Sequence, residues 1–518
     1  MDSLLSVITF LPALAAIILL VFLRGRDEPA NGNARILAFV ATMATALVSI
    51  AIFTEFERTG TGFQMVEEYA WFAGWTYRVG VDGISIFLVL LTTLVMPVAV
   101  GASWSITTRV KQYMILFLMV ETWVLLALTA MDLILFFVAS EAALFTLLLL
   151  AGSWGSKGST SEATKGYLYA VPGSFLLAMA FAAMANLAGT TDIVALGNHD
   201  FGVKPVIIAG LTFATGMQGV LFAALLIGFA FRMPTWPMHP WFNGVLAVAP
   251  VGVAVLMAAL LTKLAAYGLV RFNIMMLPQA SEAWAGFVVS LGALMVVYAG
   301  MLAIKADNLR CILSNLVIAG MGLALVGLFS LTRQALDGAL LHLVSHGLIF
   351  AALFAGAGVL IDRVKSTDMD AFGGLIARMP VFCAVLMIFA FAALGVPGTS
   401  GFVATVLIMA GTVPNGLVAP FVALCGGVIC AVAILRAYRR ITFGDLLKQS
   451  LRSVPDLSLR ECLMFTPLVV LVLGLGFFPM LILDAVAMAV ASLQDTYADR
   501  LKPAQPLILT DPNIPDER

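Results

Sequence analysis

Charged residues are scarce in this sequence. Of its 518 residues, 11% are Asp, Glu, Lys or Arg and 62% are hydrophobic, whereas a soluble domain carries roughly a quarter charged residues. The formal net charge is −1 and no basic tract is present, so nothing in the sequence favours nucleic-acid binding. This composition is typical of a polytopic helical membrane protein.

Cysteines are also few, and no two of them have the spacing of a metal site or a redox pair. We expect them to pack as small hydrophobic side chains. The first apolar run starts near Leu4 without a basic segment before it or an A-x-A site after it, so we expect a retained helix and not a signal peptide. The five cysteines are Cys311, Cys383, Cys425, Cys430 and Cys462.

The apolar runs are about twenty residues long, which fits membrane-crossing helices and excludes the short alternating strands of a membrane β-barrel. A Gly-Val-Pro-Gly turn near 395–401 interrupts the twelfth run. The pattern predicts an all-α protein with about fourteen spans, at about 3–23, 36–54, 84–104, 113–130, 132–151, 167–187, 206–233, 244–270, 284–304, 311–330, 337–361, 380–414, 417–435 and 462–490.

Lys and Arg concentrate in the connections after odd-numbered spans. The connections after even-numbered spans hold few basic residues, one of which is Arg271. The positive-inside rule then places both termini outside the cytoplasm. The polar tail after about Ser492 is expected to be a weakly ordered extracytoplasmic extension. The aromatic segment Glu67–Arg78 is expected either to lie in the membrane interface or to form a packed loop.

The central stretch Gly228–Phe272 combines two embedded charges with a Pro- and Trp-rich interruption. Pro234 and its neighbours prevent a continuous helix, and a broken helix at membrane depth needs protein or water to receive its free backbone groups. Arg232 and Lys263 lie on either side of the break. An ionisable side chain within the membrane is costly and marks a transport pathway by default.

The two cations differ in chemistry. Arg232 stays charged and acts electrostatically. A lysine that is removed from water, as Lys263 is expected to be, can exchange its proton near neutral pH. The structural alternatives are that Arg232 anchors the chain near the helix break and that the Lys263 side chain extends to the membrane surface.

Two carboxylates lie inside consecutive spans. Glu141 is about nine residues into the fifth span, near the middle of the membrane, and is a candidate proton carrier paired with Arg232. Glu121 is a candidate entry relay. For each, the alternative is a structural hydrogen bond to a neighbouring helix.

Two histidines share one face of the eleventh span. His342 and His346 are four residues apart, and imidazoles relay protons because one nitrogen donates while the other accepts. Core histidines bonded to a hydroxyl are the alternative. Around its interruption, the twelfth span offers only the hydroxyls of Thr399, Ser400 and Thr405, so no Asp, Glu or Lys titrates there.

The sequence resembles the antiporter-like membrane subunits of respiratory complex I, and in particular the M-type subunit. The resemblance covers nearly the whole chain. Mrp-type sodium/proton antiporter subunits share the core, but the flanking motifs fit the M type better. The resemblance rests, in order, on Val81-Asp82-Gly83-Ile84-Ser85, Met233-Pro234 with Trp236-Pro237, His239 and Trp241, Leu261 to Phe272, Ser345-His346-Gly347, Phe372-Gly373-Gly374 with Arg378-Met379-Pro380, Pro397 to Phe402, and Tyr438-Arg439-Arg440 with Phe443-Gly444.

The resemblance implies an antiporter-like fold of fourteen helices with two inverted repeats, each containing a broken helix. In that picture Glu141, Lys263 and His346 match the family's buried proton-carrying positions. The corresponding division is into N-terminal helices (1–112), a first repeat (113–233), a second repeat with the break near 395–401 (234–435), and a C-terminal helix with its tail (436–518).

The sequence departs from the family pattern at several polar positions. Arg232 replaces a lysine, Gly320 replaces a histidine before Met-Gly, and Thr405 stands where the family has a glutamate at the exit. The segment Phe242–Leu246 replaces Leu-Pro-Asp-Ala-His. The entry side therefore keeps its charges, whereas the exit lacks its titratable group.

The function implied is that of a proton-translocating subunit of NADH:quinone oxidoreductase in the bacterial inner membrane, beside other antiporter-like subunits. No cofactor or metal is expected in this chain, because NADH, FMN, iron–sulfur clusters and quinone belong to partner subunits. Two alternatives stay open: a structural subunit in the same position that does not pump, and a subunit of an Mrp-type cation/proton antiporter complex.

Overall fold

The computed structural model describes residues 3–23, 27–60, 62–70, 76–208, 210–446 and 451–501. The helices are named in chain order. They are α1 (Leu4–Phe22), α2 (Glu28–Glu55), α3 (Ser85–Ala102), α4 (Val110–Thr129), α5 (Leu133–Trp154), α6 (Ser159–Ala188), α7 (Ile193–Asn198), α8 (Gly216–Arg232), α9 (Pro240–Val248), α10 (Val251–Ile274), α11 (Pro278–Lys305), α12 (Leu309–Phe329), α13 (Arg333–Val364), α14 (Pro380–Leu394), α15 (Ser400–Thr412), α16 (Val418–Thr442), α17 (Leu459–Phe477) and α18 (Met480–Leu501).

Twelve of the described helices are long and apolar enough to cross a membrane, which confirms the expected all-α polytopic fold. Two further crossings, each interrupted, stay a prediction: α8 followed by α9, and α14 followed by α15. The total of fourteen stays a prediction, because the pieces of the interrupted crossings are shorter than a full span. At the centre of the bundle lie α10, which is buried throughout, and α13, nearly all of whose apolar stretch is buried.

Two predicted spans have the wrong limits. The seventh does not begin at residue 206, because β3 (Val206–Ile208) and β4 (Leu211–Phe213) form an antiparallel hairpin there. The run predicted over 462–490 is two helices that separate before Pro479, whose nitrogen has no hydrogen to donate. The tail predicted after about Ser492 is also wrong at its start, since α18 continues to Leu501 and residues 502–518 lie outside the described part.

The aromatic segment is not a loop where it is described, and its placement in the membrane interface stays a prediction. It contributes to β1 (Gln64–Ala70) and β2 (Thr76–Val81), which pair antiparallel; residues 71–75 lie outside the described part. The carboxylate of Glu67 accepts from the backbone nitrogens of Leu5 (2.7 Å) and Ser6 (3.1 Å) and so caps α1. Burial of the neighbouring phenol raises the pKa of Tyr77 to about 12.

An internal repeat shows itself in the backbone hydrogen bonds. Asp132 forms an isolated bridge with Asp192, and Asn308 forms one with Asp368. The Asp132 side chain also caps α5, the helix that follows it, and the Asn308 side chain caps α12 in the same way. In both repeats the backbone N–H of the residue after the capping residue donates a 2.9 Å hydrogen bond to a backbone carbonyl of the segment across the bridge. The bundle therefore contains two copies of one helical unit.

The two copies begin at opposite ends of the bundle. The nitrogen of Ser156, which follows α5, donates to the carbonyl of Val248 at 2.8 Å, so α9 ends at the far end of α5. Helix α10 then returns and α11 crosses once more. As a result α12 starts at the end opposite to Asp132, and the second copy runs inverted relative to the first. These are called below the Asp132 end and the Asn308 end.

Candidate functional site

A first polar cluster joins α5, α6 and α8. Arg232 is the last residue of α8 and its guanidinium forms an ion pair with Glu141. It also donates to the hydroxyls of Ser140 (2.9 Å) and Ser174 (3.2 Å), while Ser174 donates to the Glu141 carboxylate at 3.0 Å. The pair predicted between Glu141 and Arg232 is present in the structure. The two serines were missed, because a lone hydroxyl in an apolar helix is ordinary.

The two members of this pair differ in exposure. The side chain of Arg232 is 4% exposed and that of Glu141 is 27% exposed. In the isolated chain, Glu141 therefore lies at the edge of the bundle, although the sequence predicted a position in its interior. A charged group at this depth does not face lipid, since such groups face protein or water.

The second cluster is centred on Lys263 in α10. This helix contains π-helical turns at Met257–Leu261 and Leu269–Ile274, on either side of an α-helical segment; such turns are frequent at functional sites. The fully buried ammonium donates to the carbonyl of Ala258 at 2.6 Å and to the hydroxyl of Thr262 at 3.1 Å. Its third partner is Nδ1 of His346, at 2.8 Å.

The contact with His346 fixes the roles of the imidazole nitrogens. An ammonium only donates, so Nδ1 of the ring accepts and Nε2 carries the hydrogen when the ring is neutral. The ring of His346 also stacks on Phe350, with centroids 4.3 Å apart. Lys263 and His346, which the sequence indicated as separate candidates, are thus in direct hydrogen-bond contact.

His342 lies one turn away and makes its hydrogen bond through the other ring nitrogen. Its Nε2 contacts the carbonyl oxygen of Gly320 at 3.0 Å. A carbonyl only accepts, so Nε2 carries the hydrogen and Nδ1 is left as an acceptor. Neither Nδ1 of His342 nor Nε2 of His346 has a hydrogen-bond partner within the described residues.

Thr405 lines a cavity of about 230 Å³, and both histidines line the same cavity. Gly320, where the resemblance implied a histidine, forms part of the wall. A Cβ atom at Gly320 would lie 2.0 Å from Nε2 of His346, so the absence of a side chain at position 320 makes room for this ring. The structure thus joins two of the departures, Gly320 and Thr405, in one place.

Glu121 stands apart from both clusters. It is completely buried in α4, and neither of its carboxyl oxygens has a partner within the described residues. Within that part of the chain, no hydrogen bond or ion pair links it to Lys263 or to Glu141. None links the Glu141–Arg232 pair to Lys263 either.

Comparison with known proteins identifies relatives of this chain. The family model described as "NADH:quinone oxidoreductase/Mrp antiporter, TM" matches residues 130–430. The chain is 40% identical to the NADH-quinone oxidoreductase subunit M of Rhodobacter capsulatus, over 96% of this chain and 97% of that protein. It is 31% identical to the NADH-ubiquinone oxidoreductase chain 4 of Marchantia polymorpha, over 94% and 96% of the two chains.

The chain belongs to the NADH:quinone oxidoreductase/Mrp antiporter family. It is therefore a multi-pass membrane protein. Its fold matches a chain of respiratory complex I from Thermus thermophilus with a TM-score of 0.83 at 24% identity, covering 95% of this chain and 99% of that one. A chain of the Mrp complex from Dietzia sp. DQ12-45-1b gives 0.81 at 18% identity, covering 96% and 98%. These likenesses confirm the antiporter-like fold.

A second buried ion pair in this family member was not foreseen as a pair. Arg271 had been assigned to a connection between spans, but α10 continues to Ile274 and the guanidinium is buried. It donates to both carboxyl oxygens of Asp82, at 2.8 Å each, and to the hydroxyl of Tyr267 at 3.1 Å. The signal was available, since Asp82 and Arg271 both lie in the motifs that carry the family resemblance.

Among the described residues, no group of three or more His, Cys, Asp or Glu side chains comes together as a set of metal ligands. The polar groups described above are hydroxyls, imidazoles, one ammonium, two guanidinium groups and carboxyls. This inventory suits the storage and transfer of protons.

Proposed function

We propose that this chain is the M subunit of a proton-translocating NADH:quinone oxidoreductase and that it conducts protons through Lys263. The relatives named above support the assignment, since they are named as subunit M or chain 4 of that enzyme. The observation that carries the proton pathway is the 2.8 Å contact between Nζ of Lys263 and Nδ1 of His346. It supplies a donor and an acceptor in direct contact at the centre of the bundle.

Each site residue has its own role in this proposal. Glu141 binds the incoming proton, and Arg232 stays charged and sets how tightly the carboxylate holds it. Lys263 is the central carrier and His346 receives from it. Glu121 is an entry relay, His342 supports the ring beside it, and Thr405 stands at the exit in place of the expected carboxylate.

The proposed location is the bacterial inner membrane, with both termini outside the cytoplasm. Basic side chains at the Asn308 end bind the carbonyl oxygens at helix ends: Lys111 donates to Leu23 at 2.8 Å, Arg109 to Ser153 at 2.8 Å and Arg310 to Ala249 at 2.6 Å. This end is the cytoplasmic one under the positive-inside rule. Cations also suit helix C-termini, where the helix dipole is negative.

We place the two repeats at Val110–Ile274 and Pro278–Thr442, so that each holds one interrupted crossing. The bridges Asp132–Asp192 and Asn308–Asp368 then occupy equivalent places. This division moves the boundary expected near 233 to the connection between α10 and α11. The N-terminal and C-terminal helices flank the repeats.

Neighbouring antiporter-like subunits of the complex are the proposed partners. The support is the partial exposure of Glu141, because a charged group at the bundle edge needs a protein or water neighbour. NADH, FMN, iron–sulfur clusters and quinone are assigned to other subunits, which makes this chain a part of the enzyme that carries no redox centre of its own.

The test is the number of protons moved per NADH oxidised in sealed vesicles that contain the assembled complex. Lys263→Met keeps most of the side-chain volume and removes the ionisable group. We expect a lower ratio, with electron transfer retained when the membrane is uncoupled. Lys165→Met, at an exposed position, is the matched control and should leave the ratio unchanged.

An unchanged ratio in assembled Lys263→Met complex would favour the second candidate, a structural subunit without a proton stroke. Thr405 is the observation that favours this candidate, since a hydroxyl does not store a proton at neutral pH. The third candidate, an Mrp-type antiporter subunit, shares the fold, but the relatives named above are complex I subunits.

A further inference from the structure

We propose that water fills a path from His346 along the seam of α15 and α16 to the Asp132 end, and that this water takes the place of the missing exit carboxylate. The path consists of two cavities. The inner one, of about 230 Å³, holds His342, His346 and Thr405 in its wall. The outer one, of about 820 Å³, holds Glu282, Thr412 and Asn415. This inference rests on the proposed function.

The inner cavity has the polar groups that water needs. His342 and His346 are 7% and 3% exposed, and each has one ring nitrogen without a partner within the described residues. One is an acceptor and the other carries a hydrogen, so a water molecule satisfies both. A cavity of this size has room for several waters, since one needs only about 10–15 Å³ of such volume.

The two cavities follow each other along the same helices. On α16, Ala423 and Leu424 line the inner cavity, whereas the adjacent Ala419 and Val422 line the outer one. On α15, Thr405 and Thr412 are seven residues apart and so share one face. The hydroxyls of this face lead from the histidines towards the outer cavity.

The outer cavity lies at the Asp132 end. Residues 329–332, the turn between α12 and α13, form part of its wall, and that turn is at the opposite end from Asn308. Glu282 is the one acidic side chain that lines either cavity within the described residues, and it is exposed. Under the proposed orientation the path ends on the extracytoplasmic side, beside a carboxylate.

The transfer from lysine to water balances. The N–H bond of Lys263 breaks as a hydrogen bonds to Nδ1 of His346, and the Nε2–H bond of His346 breaks as a water molecule gains that proton. Lys263 ends neutral, His346 ends neutral with its hydrogen on Nδ1, and the water ends as hydronium. Gly320 permits this step, because a side chain there would occupy the place of Nε2.

A native cysteine supplies the test for water. Cys430 lines the inner cavity, whereas Cys425 lies on the same helix and is exposed on the outer surface of the bundle. Two variants of the assembled complex would each keep only one of these thiols, with the other four cysteines replaced by alanine. A charged, membrane-impermeant methanethiosulfonate would be added to sealed vesicles from each side in turn.

We expect Cys430 to react from the extracytoplasmic side several-fold faster than Cys425, which lies on the outer surface of the bundle and outside the cavity. Equal rates, or no reaction of Cys430 until the protein is denatured, would overturn the proposal. This readout does not depend on pumping, so it separates the water path from the proposed function. The latter stands or falls with Lys263→Met.

A cavity-filling variant tests whether protons use the path. Gly427 lines the inner cavity and a Cβ there meets nothing within 4 Å, so Gly427→Leu adds a side chain without a backbone clash. It should lower both the proton ratio and the labelling of Cys430. Gly474→Leu, which is equally unobstructed on α17, is the control. A full ratio in Gly427→Leu, in a complex whose ratio falls with Lys263→Met, would place the exit elsewhere.

Discussion

Nζ of Lys263 lies 2.8 Å from Nδ1 of His346, so α10 and α13, the two helices at the centre of the bundle, meet through a hydrogen bond between two ionisable groups. The other partners of the ammonium are a carbonyl and a hydroxyl. No carboxylate of the described residues forms a salt bridge with it. A charged lysine held by neutral partners in a membrane interior is costly, and under the proposed function this cost favours release of its proton.

Lys263→Arg separates the charge of this residue from its ability to release a proton. Guanidinium does not deprotonate in proteins, so the variant keeps a cation on α10 and ends proton transfer to His346. We expect the complex to assemble and the proton ratio to fall as far as it does in Lys263→Met. A ratio near that of the native chain would mean that Lys263 acts only as a fixed charge.

Glu141→Gln tests the pair with Arg232. Removing one partner leaves a buried guanidinium without its counter-charge, at a cost of about 3 kcal/mol, the low end for buried pairs, because Glu141 is partly exposed. The thermal unfolding midpoint of the purified complex should fall. Glu141→Gln with Arg232→Gln should recover part of this loss, and a double variant less stable than either single one would contradict the pairing.

Asp82→Asn tests the second buried pair. Arg271 would keep the Tyr267 hydroxyl and the amide oxygen of the new asparagine as partners but lose its charge compensation, and we expect destabilisation of about 3–5 kcal/mol, measured as a lower unfolding midpoint or less assembled complex. The control is Glu162→Gln, which removes an exposed salt bridge with Lys165 worth about 1 kcal/mol or less. Equal effects of the two substitutions would show that Asp82 does not stabilise Arg271.

Gly320→Ala tests whether proton translocation depends on the position of the His346 ring. The new Cβ would lie 2.0 Å from Nε2, so the ring must move and its contact with Lys263 lengthens. We expect a lower proton ratio together with normal assembly, because alanine suits a helix better than glycine. Gly356→Ala in α13, where the nearest atom is 3.7 Å away, should leave the ratio unchanged. An unaffected ratio in Gly320→Ala would show that this ring position is not required.

The sequence predicted much of the site because buried charges stand out in an apolar chain. Arg232, Lys263 and Glu141 are visible as exceptions to composition, and the spacing of His342 and His346 places them on one helix face. The partners of these residues were not predictable to the same degree. Ser140 and Ser174 look like any membrane-helix hydroxyl until the fold brings them beside Glu141.

Arg271 shows a different limit. Hydropathy ends a span where a charge appears, so the arginine was placed in a connection. The structure continues α10 past it, because Asp82 at the start of α3 compensates the charge from about 190 positions away. A pairing over such a distance leaves no mark in a local window of sequence.

By itself, the sequence determined that this protein is a membrane bundle of helices and which ionisable groups it keeps inside, since both follow from the cost of placing charge in an apolar medium. Only the tertiary structure decided that Lys263 meets His346, that Glu141 lies at the bundle edge, and that Gly320 and Thr405 border one cavity. Those facts depend on how distant helices pack, and packing is a property of the whole chain in three dimensions.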